Sequence, residues 1–555
     1  MSVQIRQGGS GAKLGRLLID GGLLSEERLA EAQRMGRETS TPLPDVLVKN
    51  RFVSERDLMP VLADQYGLEF VSLRTMFIDP LATKSISAKF ACHYRIMPID
   101  LTDGVIKVAL SDPLDMSAVE DIETTMGYRV TRALACRSDI AEAVRRHYGV
   151  GADTVERILD ELPAEVEAPD SLEESHDLEN MAEDASVVRL VNQILQQAIE
   201  DRTTDIHFEV HREGMVARRR IDGVLYDTNV PSNIRVLYPA IVSRVKLMSG
   251  LNIVERRMPQ DGRARVRIGG KNYDLRISVV PALHGEDVVI RILPTSMLFS
   301  LEKLGLAGAH LETIEGLIAE PHGILFVTGP TGSGKSTTLY ACLKQLNTRD
   351  RKIITIEDPI EYELPGITQS QINTKIELSF ARMLRSMLRH DPDIMMVGEV
   401  RDRETADIAI QTAMTGHLVM STLHTNDAAS GAVRLIDMGV DPYLITSTVR
   451  AFIAQRLVRT ICESCKETYE SDGATLYRGA GCRECHQAGY QGRVAICEIL
   501  VVDDVIQDMI HRKASSLEIK ATAIERGMTT LAEDGQDKIQ RGVTSLEEVL
   551  RVTRT

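Results

Sequence analysis

The sequence predicts an α/β protein whose C-terminal half is built on a mostly parallel sheet, preceded by an α+β domain and by N-terminal α-helical and α+β modules. Three observations carry this. From about residue 300, strand-like and helix-like runs alternate, the pattern of a parallel sheet with helices between its strands. The apolar run at the start of GILFVTGPTGSGKSTTLYA, residues 323–341, ends in a glycine-rich turn that opens a helix-forming stretch. Farther on, Cys462-x2-Cys465 and Cys482-x2-Cys485, with sixteen residues between the pairs, mark a small separate lobe at 460–497.

Taken in order, residues 1–70 read as a helical module. Two similar segments, KLGRLLIDGGLLSEERLAEA at 13–32 and PLPDVLVKNRFVSERDLMPV at 42–61, are offset by 29 residues. Leu14, Leu18, Leu24-Ser25-Glu26 and Leu29 recur as Leu43, Leu47, Val53-Ser54-Glu55 and Leu58. Each copy predicts two short helices, the second capped by Ser25 or Ser54 with a glutamate at its positive end. Residues 71–150 alternate runs such as GVIKVALSD and DIAEAVRRHY, which predicts a compact α+β module. From Asp153 to Asp184 acidic residues crowd in and Arg157 is the only basic one, so 151–185 reads as an acidic flexible tether. A solvated acidic helix would fit only its first turns, around VERILDEL. The amphipathic run SVVRLVNQILQQAIED then opens an α+β domain at 186–295, with strands TDIHFEV, MVARRRIDGVL, RARVRIGG, YDLRISVVPA and DVVIRIL. Residues 296–555 hold the parallel sheet, the cysteine lobe and C-terminal helices.

The chemistry starts at Gly329-Pro330-Thr331-Gly332-Ser333-Gly334-Lys335-Ser336-Thr337. Glycines let backbone N–H groups close around phosphate oxygens, Lys335 adds a positive charge, and Ser336 offers a hydroxyl to Mg²⁺. The helix that follows turns its positive end to the same phosphates. A chance glycine loop is the bland alternative, but the strand before and the helix after supply the context a P-loop requires, so the cofactors expected are ATP and Mg²⁺.

In a parallel α/β sheet, ligands gather at the carboxyl ends of the strands. Three strands end there in chemistry-bearing residues: KIITI in Glu357-Asp358-Pro359, IMMV in Gly398-Glu399, and LVMSTL in His424-Thr425-Asn426. Asp393 opens the strand that Glu399 closes, so the two sit roughly 20 Å apart. Glu399 is therefore expected to polarise the attacking water or to hold Mg²⁺ through a water, and Asp393 to cap a strand entry. His424 can sense a γ-phosphate, whereas His417, before its strand, reads as core or hinge. Glu357 and Asp358 read as a turn before Pro359 and, compatibly, as water-orienting carboxylates. Phosphoryl transfer also attracts an arginine. Arg218, Arg219, Arg220, Arg276 and Arg291 are candidates, against the reading that alternate arginines on a strand are its solvated face.

The two CxxC pairs fit tetrahedral Zn²⁺ held by Cys462, Cys465, Cys482 and Cys485. Four unliganded thiols are the alternative, and His486 could compete as a ligand. Cys92, Cys136, Cys342 and Cys497 read as buried small residues. With 65 basic against 80 acidic residues the net charge is −15, which argues against nucleic acid as the main partner. No run approaches the roughly 18–20 apolar residues of a membrane span. The N-terminus lacks a signal peptide's apolar core, so a cytoplasmic protein is expected, attached to a membrane only through partners.

The blocks TIEDPIEYELPGITQSQIN, LRHDPDIMMVGEVRDRETA and TGHLVMSTLHTNDA, with TDIHFEV, RIDGVL, PQDGR and HGEDVVIR, resemble the secretion ATPases of type II secretion and type IV pilus assembly, over about 186–555. The resemblance implies a homohexameric, RecA-like P-loop motor whose preceding domain, PAS-like, closes over ATP. It implies Glu357, Glu361, Glu399, His417 and His424 as box residues, and Arg218, Arg220, Arg276 and Arg291 as arginines for the site. The partners implied are an inner-membrane platform protein and its cytoplasmic adaptor, with pseudopilus assembly for type II secretion as the task and type IV pilus assembly as the alternative. The ending GVTSLEEVLRVTRT and the approach QRLVRTIC resemble the type II branch, whereas the N-terminal repeat resembles pilus motors more; the zinc lobe favours assembly over retraction. A nucleic-acid translocase and a non-hydrolysing scaffold are rival classes. The first 70 residues resemble an N-terminal module that in certain members binds cyclic di-GMP. Lys13, Pro42 and Pro44 depart from that pattern, and a docking module for the platform is the other reading.

Overall fold

The computed structural model describes residues 10–39, 41–161, 184–212, 214–231, 234–294, 300–471, 473–482 and 484–554. Their backbone contacts divide them into two units. One comprises the described residues up to 220 with 225–264 and 275–292. The other comprises 221–224, 265–274 and the described residues from 293 onward.

In the first unit, helices Ser10–Asp20, Glu26–Thr39, Leu43–Lys49 and Glu55–Tyr66 form the repeated helical module. The repeat positions Leu14, Leu18, Leu24, Leu47, Val53 and Leu58 are its buried core. Ser54 accepts the Asp57 N–H at 3.2 Å and Ser25 that of Arg28 at 3.4 Å, which satisfies donors that a helix start leaves unpaired. Next comes a four-stranded sheet of β1 (Glu69–Phe70), β2 (Met97–Thr102), β3 (Val105–Leu110) and β4 (Arg129–Leu134), in the order β1-β4-β3-β2. Leu134 and Cys136 share the core of the helices, so helical repeat and sheet are one packed body.

The tether expected over 151–185 does not begin at 151. Helix Ala152–Glu161 is ordered, as the acidic-helix alternative allowed for its first turns. The Glu156 carboxylate accepts the Ala88 and Lys89 N–H groups at 3.0 and 2.8 Å, and Thr154 donates to Gln193 at 3.1 Å. A carboxylate across a helix N-terminus is a favourable placement, and it overrides the tendency of an acidic run to stay solvated. The rest of that stretch, residues 162–183, lies outside the described residues, as do the first nine.

Asp184 caps helix Ala185–Glu200, whose Val187, Leu190, Val191, Ile194, Leu195 and Ala198 recur every three or four residues and are buried. It and helix Ile234–Met248 accompany a six-stranded sheet made of β5 (Thr203–His211), β6 (Gly214–Ile221), β7 (Val224–Thr228), β8 (Gln260–Ile268), β9 (Lys271–Ala282) and β10 (Gly285–Pro294). The order is β7-β6-β5-β10-β9-β8. Alternation sorts its faces: Ile206, Phe208, Leu275, Ile277, Val288 and Ile290 are buried, while Asp205, His207, Glu209, Arg276 and Arg291 occupy the other parity.

The second unit is organised on β11 (Gly323–Thr328), β12 (Ile353–Glu357), β13 (Thr368–Gln371), β14 (Ile394–Val397), β15 (Leu418–Leu423) and β16 (Val449–Ile461). A hairpin of β17 (Lys466–Ser471) and β18 (Ala474–Gly479) follows, then β19 (Tyr490–Val501). The seven-stranded sheet runs β13-β12-β14-β15-β11-β16-β19, with every neighbouring pair parallel except β16 and β19. On β11, Ile324 and Phe326 enter one core and Leu325 and Val327 the other, which is why that strand reads as a continuous apolar run. The four C-terminal helices, from Asp504–His511 to Leu546–Thr553, pack into the first of these cores. No described helix is long and apolar enough to cross a membrane.

Candidate active site

Register fixes what stands beside the P-loop. Thr328 at the end of β11 lies opposite Leu423 of β15 and Ala454 of β16. Val397 of β14 lies opposite Ser421 of β15, and Ile356 of β12 opposite Val397. The loops carrying Glu357, Glu399 and His424 and the P-loop therefore leave one edge side by side, with Gln455 on the far flank of the P-loop.

Within the loop, Gly329, Gly332 and Gly334 hold φ of 148°, 80° and 88°. A Cβ on Gly329 would lie 2.6 Å from the Gln455 carbonyl, and one on Gly334 2.7 Å from the Gln455 Nε2, so the cradle admits only glycine there. Helix Lys335–Leu346 starts at Gly334 with no side-chain cap, which leaves its first N–H groups to an incoming anion. The buried Ser333 hydroxyl also has no partner. These features fit triphosphate oxygens, and Ser336 in the first helical turn fits a Mg²⁺ ligand. Lys335 Nζ donates to the Gly329 and Pro330 carbonyls at 2.7 and 3.1 Å. Burial lowers its pKa, the Glu399 carboxylate opposes that, and Arg456 adds to it.

Glu399 is mostly buried and pairs with Arg401, while His424 Nε2 lies 3.4 Å from its other oxygen. The structure thus brings together two of the residues expected on this edge. Glu357 behaves differently. It is 4% exposed, its Oε1 accepts Thr355 Oγ1 at 2.6 Å and Gln369 Nε2 at 3.0 Å, and its Oε2 accepts the Tyr340 hydroxyl. Burial and the Glu357 carboxylate both push the Tyr340 phenol upward. Glu357, the last residue of β12 and on the same face as Thr355, thus ties β12 to the P-loop helix through Tyr340. The Glu361 N–H joins this network through the Tyr340 oxygen at 3.2 Å.

His417 needs a correction. It precedes β15, and its Nδ1 lies 2.9 Å from the Thr412 carbonyl and 3.0 Å from the Thr415 hydroxyl. With the whole of β15 between them, His417 and His424 are about 20 Å apart on opposite sheet edges. The core-or-hinge reading from position describes its place; the catalytic edge of its own unit does not include it. Asp393, at the same amino edge, accepts the Lys352 N–H at 2.6 Å and joins the entries of β12 and β14.

Arg218, Arg220, Arg276 and Arg291 lie on the polar face of the six-stranded sheet. Arg218 reaches Glu209 at 2.7 Å, and Arg220 and Arg291 flank Asp205 at 4.0 and 2.8 Å. Arg276 and Arg291 line a groove of ≈ 380 Å³ together with Arg263 and Asp261. Arg219, on the opposite parity, turns to Asp201. His207, amid these charges, is pushed down chiefly by burial and then by Arg220.

In the cysteine lobe the four sulfurs of Cys462, Cys465, Cys482 and Cys485 all lie within 4.8 Å of one another. Cys462–Cys482, Cys465–Cys485 and Cys482–Cys485 are 3.7, 3.8 and 3.7 Å apart. A tetrahedron with metal–sulfur bonds of about 2.3 Å has edges of about 3.8 Å, so the thiols fit a tetrahedral centre. The Cys482 and Gly489 N–H groups point at Cys485 Sγ at 3.1 and 3.2 Å, as they would at a thiolate. Strand β19 starts at Tyr490, so the later part of the expected 460–497 lobe is main-sheet strand. Of the other cysteines, Cys136, Cys342 and Cys497 are buried, but Cys92 is only half-buried.

Sequence reasoning missed Arg401, Tyr340 and Gln455. Arg401 lies two residues beyond Glu399, past the strand end that was being read. Tyr340 and Gln455 carry no motif signal, because their partners are 17 and 117–122 residues away.

Over residues 180–551 the chain matches the Type II/IV secretion system protein model, and over 66–154 that of the MshEN domain. It is 41% identical over 556 residues to the type II secretion system protein E of Xanthomonas campestris, covering 97% of each chain. It is 40% identical over 559 residues to the type IV pilus assembly ATPase PilB of Myxococcus xanthus, covering 97% of this chain and 98% of that one. The type II secretion system ATPase E of Vibrio cholerae is 42% identical over 502 residues, with 86% and 99% covered. Among solved structures, the ATPase DotB of Legionella pneumophila superposes with a TM-score of 0.51 at 26% identity, covering 66% of this chain and 95% of that one. A P-loop and a Glu399–His424 pair on one sheet edge, within a match spanning residues 180–551, place the chain in the Type II/IV secretion system protein family, and it is an ATPase of that family.

Proposed function

We propose that the chain is the cytoplasmic, homohexameric ATPase that drives pseudopilus assembly in type II secretion by pushing on an inner-membrane platform protein and its cytoplasmic adaptor. The observation that carries the reading is the Glu399–His424 pair beside the P-loop, since a scaffold that only held nucleotide would need neither. Glu399 orients the attacking water and draws off its proton. Lys335 leaves the Gly329 and Pro330 carbonyls for the phosphates, and His424, half exposed, meets the γ-phosphate side. Ser336 would hold Mg²⁺, which would supply positive charge against the phosphates. Arg218, Arg220, Arg276 and Arg291 complete the site when their domain closes. Arg218, Arg220 and Arg291 then exchange their present carboxylate partners, Glu209 and Asp205, for phosphate. Zinc on the four cysteines would stiffen the loop connections between β16 and β19.

Type IV pilus assembly is the second reading, favoured by the Myxococcus relative's near-complete coverage. Identity does not separate the two. What supports type II is the approach to the zinc lobe, the C-terminal segment and the type II names of the Xanthomonas and Vibrio relatives. The MshEN match covers residues 66–154, the α+β module and not the repeat at 1–70 that carried the cyclic di-GMP expectation, and cyclic di-GMP is kept as a candidate ligand of this N-terminal region beside the docking role. The test is the ATPase rate of the full chain with the cytoplasmic domains of a type II platform and of a pilus platform. Stimulation by the first alone is expected. DNA-stimulated turnover with steep salt dependence, and no response to either platform, would overturn the reading in favour of a translocase.

A further inference from the structure

A P-loop directs successive N–H groups inward, so its peptide carbonyls must face outward and find donors elsewhere. For Ser333 that donor is a side chain of another strand. Gln455 on β16 is fully buried; its Nε2 donates to the Ser333 carbonyl at 2.8 Å, and its Oε1 accepts the Thr338 hydroxyl at 2.6 Å. One carboxamide thus spans the loop and the first turn of the helix behind it. The glycines show how close the fit is, since a Cβ on Gly329 or Gly334 would collide with Gln455 atoms. Residue type follows from this. A donor and an acceptor are both required, at no net charge, next to an anion site, and the glutamine carboxamide supplies all three.

We propose that Gln455 is a positioning residue that holds the P-loop in its phosphate-receiving shape. It touches no reacting atom, and it acts through Ser333 and Thr338. The proposal rests on the nucleotide reading of the P-loop. Because it sets the shape of the loop and not the carboxylate that works on water, it governs nucleotide affinity more than turnover.

The test uses the full-length chain as Gln455→Met, which keeps volume and loses both hydrogen bonds, as Thr338→Val, and as the double variant. Steady-state ATPase, binding of a fluorescent ATP analogue, and melting temperature without nucleotide are measured for each. Gln455→Met is expected to raise KM and the analogue Kd roughly tenfold, with kcat within about threefold and the melting temperature close to wild type. Gln455→Glu, which loses the donor and adds negative charge, should weaken binding further. The double variant should be no weaker than Gln455→Met, because both changes cut the same link. Unchanged affinity in Gln455→Met, multiplicative effects in the double variant, or an affinity loss that only tracks a falling melting temperature would each overturn the proposal. If the wild type itself bound no analogue, the nucleotide reading would fall and this proposal with it; wild-type binding matched by Gln455→Met sinks the proposal alone.

Discussion

Glu548 shows how much a single buried carboxylate can hold. It is 2% exposed and accepts hydrogen bonds from the Arg459 backbone N–H at 3.0 Å, the Arg459 guanidinium at 2.7 Å and Arg551 at 2.8 Å. Arg459 in turn lies over the Tyr490 ring, 4.2 Å from its centre. Burial alone would raise the carboxyl's pKa, but the bonds from Arg551 and Arg459 outweigh it and hold it down to about 2. A depressed carboxylate pKa adds stability that is present above its ordinary value near 4.5 and is lost as pH falls toward 2. Glu548→Gln should therefore cost about 2 kcal/mol at pH 7, after allowance for solvent screening, and the difference from wild type should shrink between pH 4.5 and 2. Thermal melts of both proteins across that range check it; a pH-independent difference would contradict it. None of this is legible in the chain, since the charges of LEEVLRVT read as a solvated helix face until a partner strand is known, and Arg459 is 89 residues away. Glu399 and His424 were legible because strand polarity alone puts them on the ligand edge. Glu357 shares that edge by backbone, yet the pleat turned its side chain inward to Tyr340, Thr355 and Gln369, and pleat phase at a strand's last residue is not readable from the chain.

Secondary-structure elements followed their sequence signals where the signal was local. The 29-residue repeat, the amphipathic helix Ala185–Glu200, the continuous apolar β11 and the strand–helix alternation all have local periodicity behind them. The acidic helix Ala152–Glu161 does not, because what orders it is Glu156 reaching across to the start of helix Ala88–Tyr94. The two CxxC turns are a stronger local signal, since each short turn sets two sulfurs by itself and only the pairing of turns needs the fold. Purified without added metal, the chain should carry about one zinc per molecule by mass spectrometry, and Cys465→Ser should lose most of it. Less than about half an equivalent in the wild type would sink the four-cysteine assignment.

At the scale of the whole molecule, the chain is an ATPase of the Type II/IV secretion system protein family with a net charge of −15. Arg218, Arg220, Arg276 and Arg291 belong to one unit, and the P-loop with Glu399 and His424 to the other. The most direct measurement is ATP turnover and ATP-analogue binding by the full-length chain carrying Glu399→Gln, compared with wild type. The account predicts turnover lowered by about a hundredfold or more with binding within a few fold of wild type. Turnover left at the wild-type rate would contradict a hydrolytic site built on Glu399 and leave the chain a nucleotide-binding scaffold.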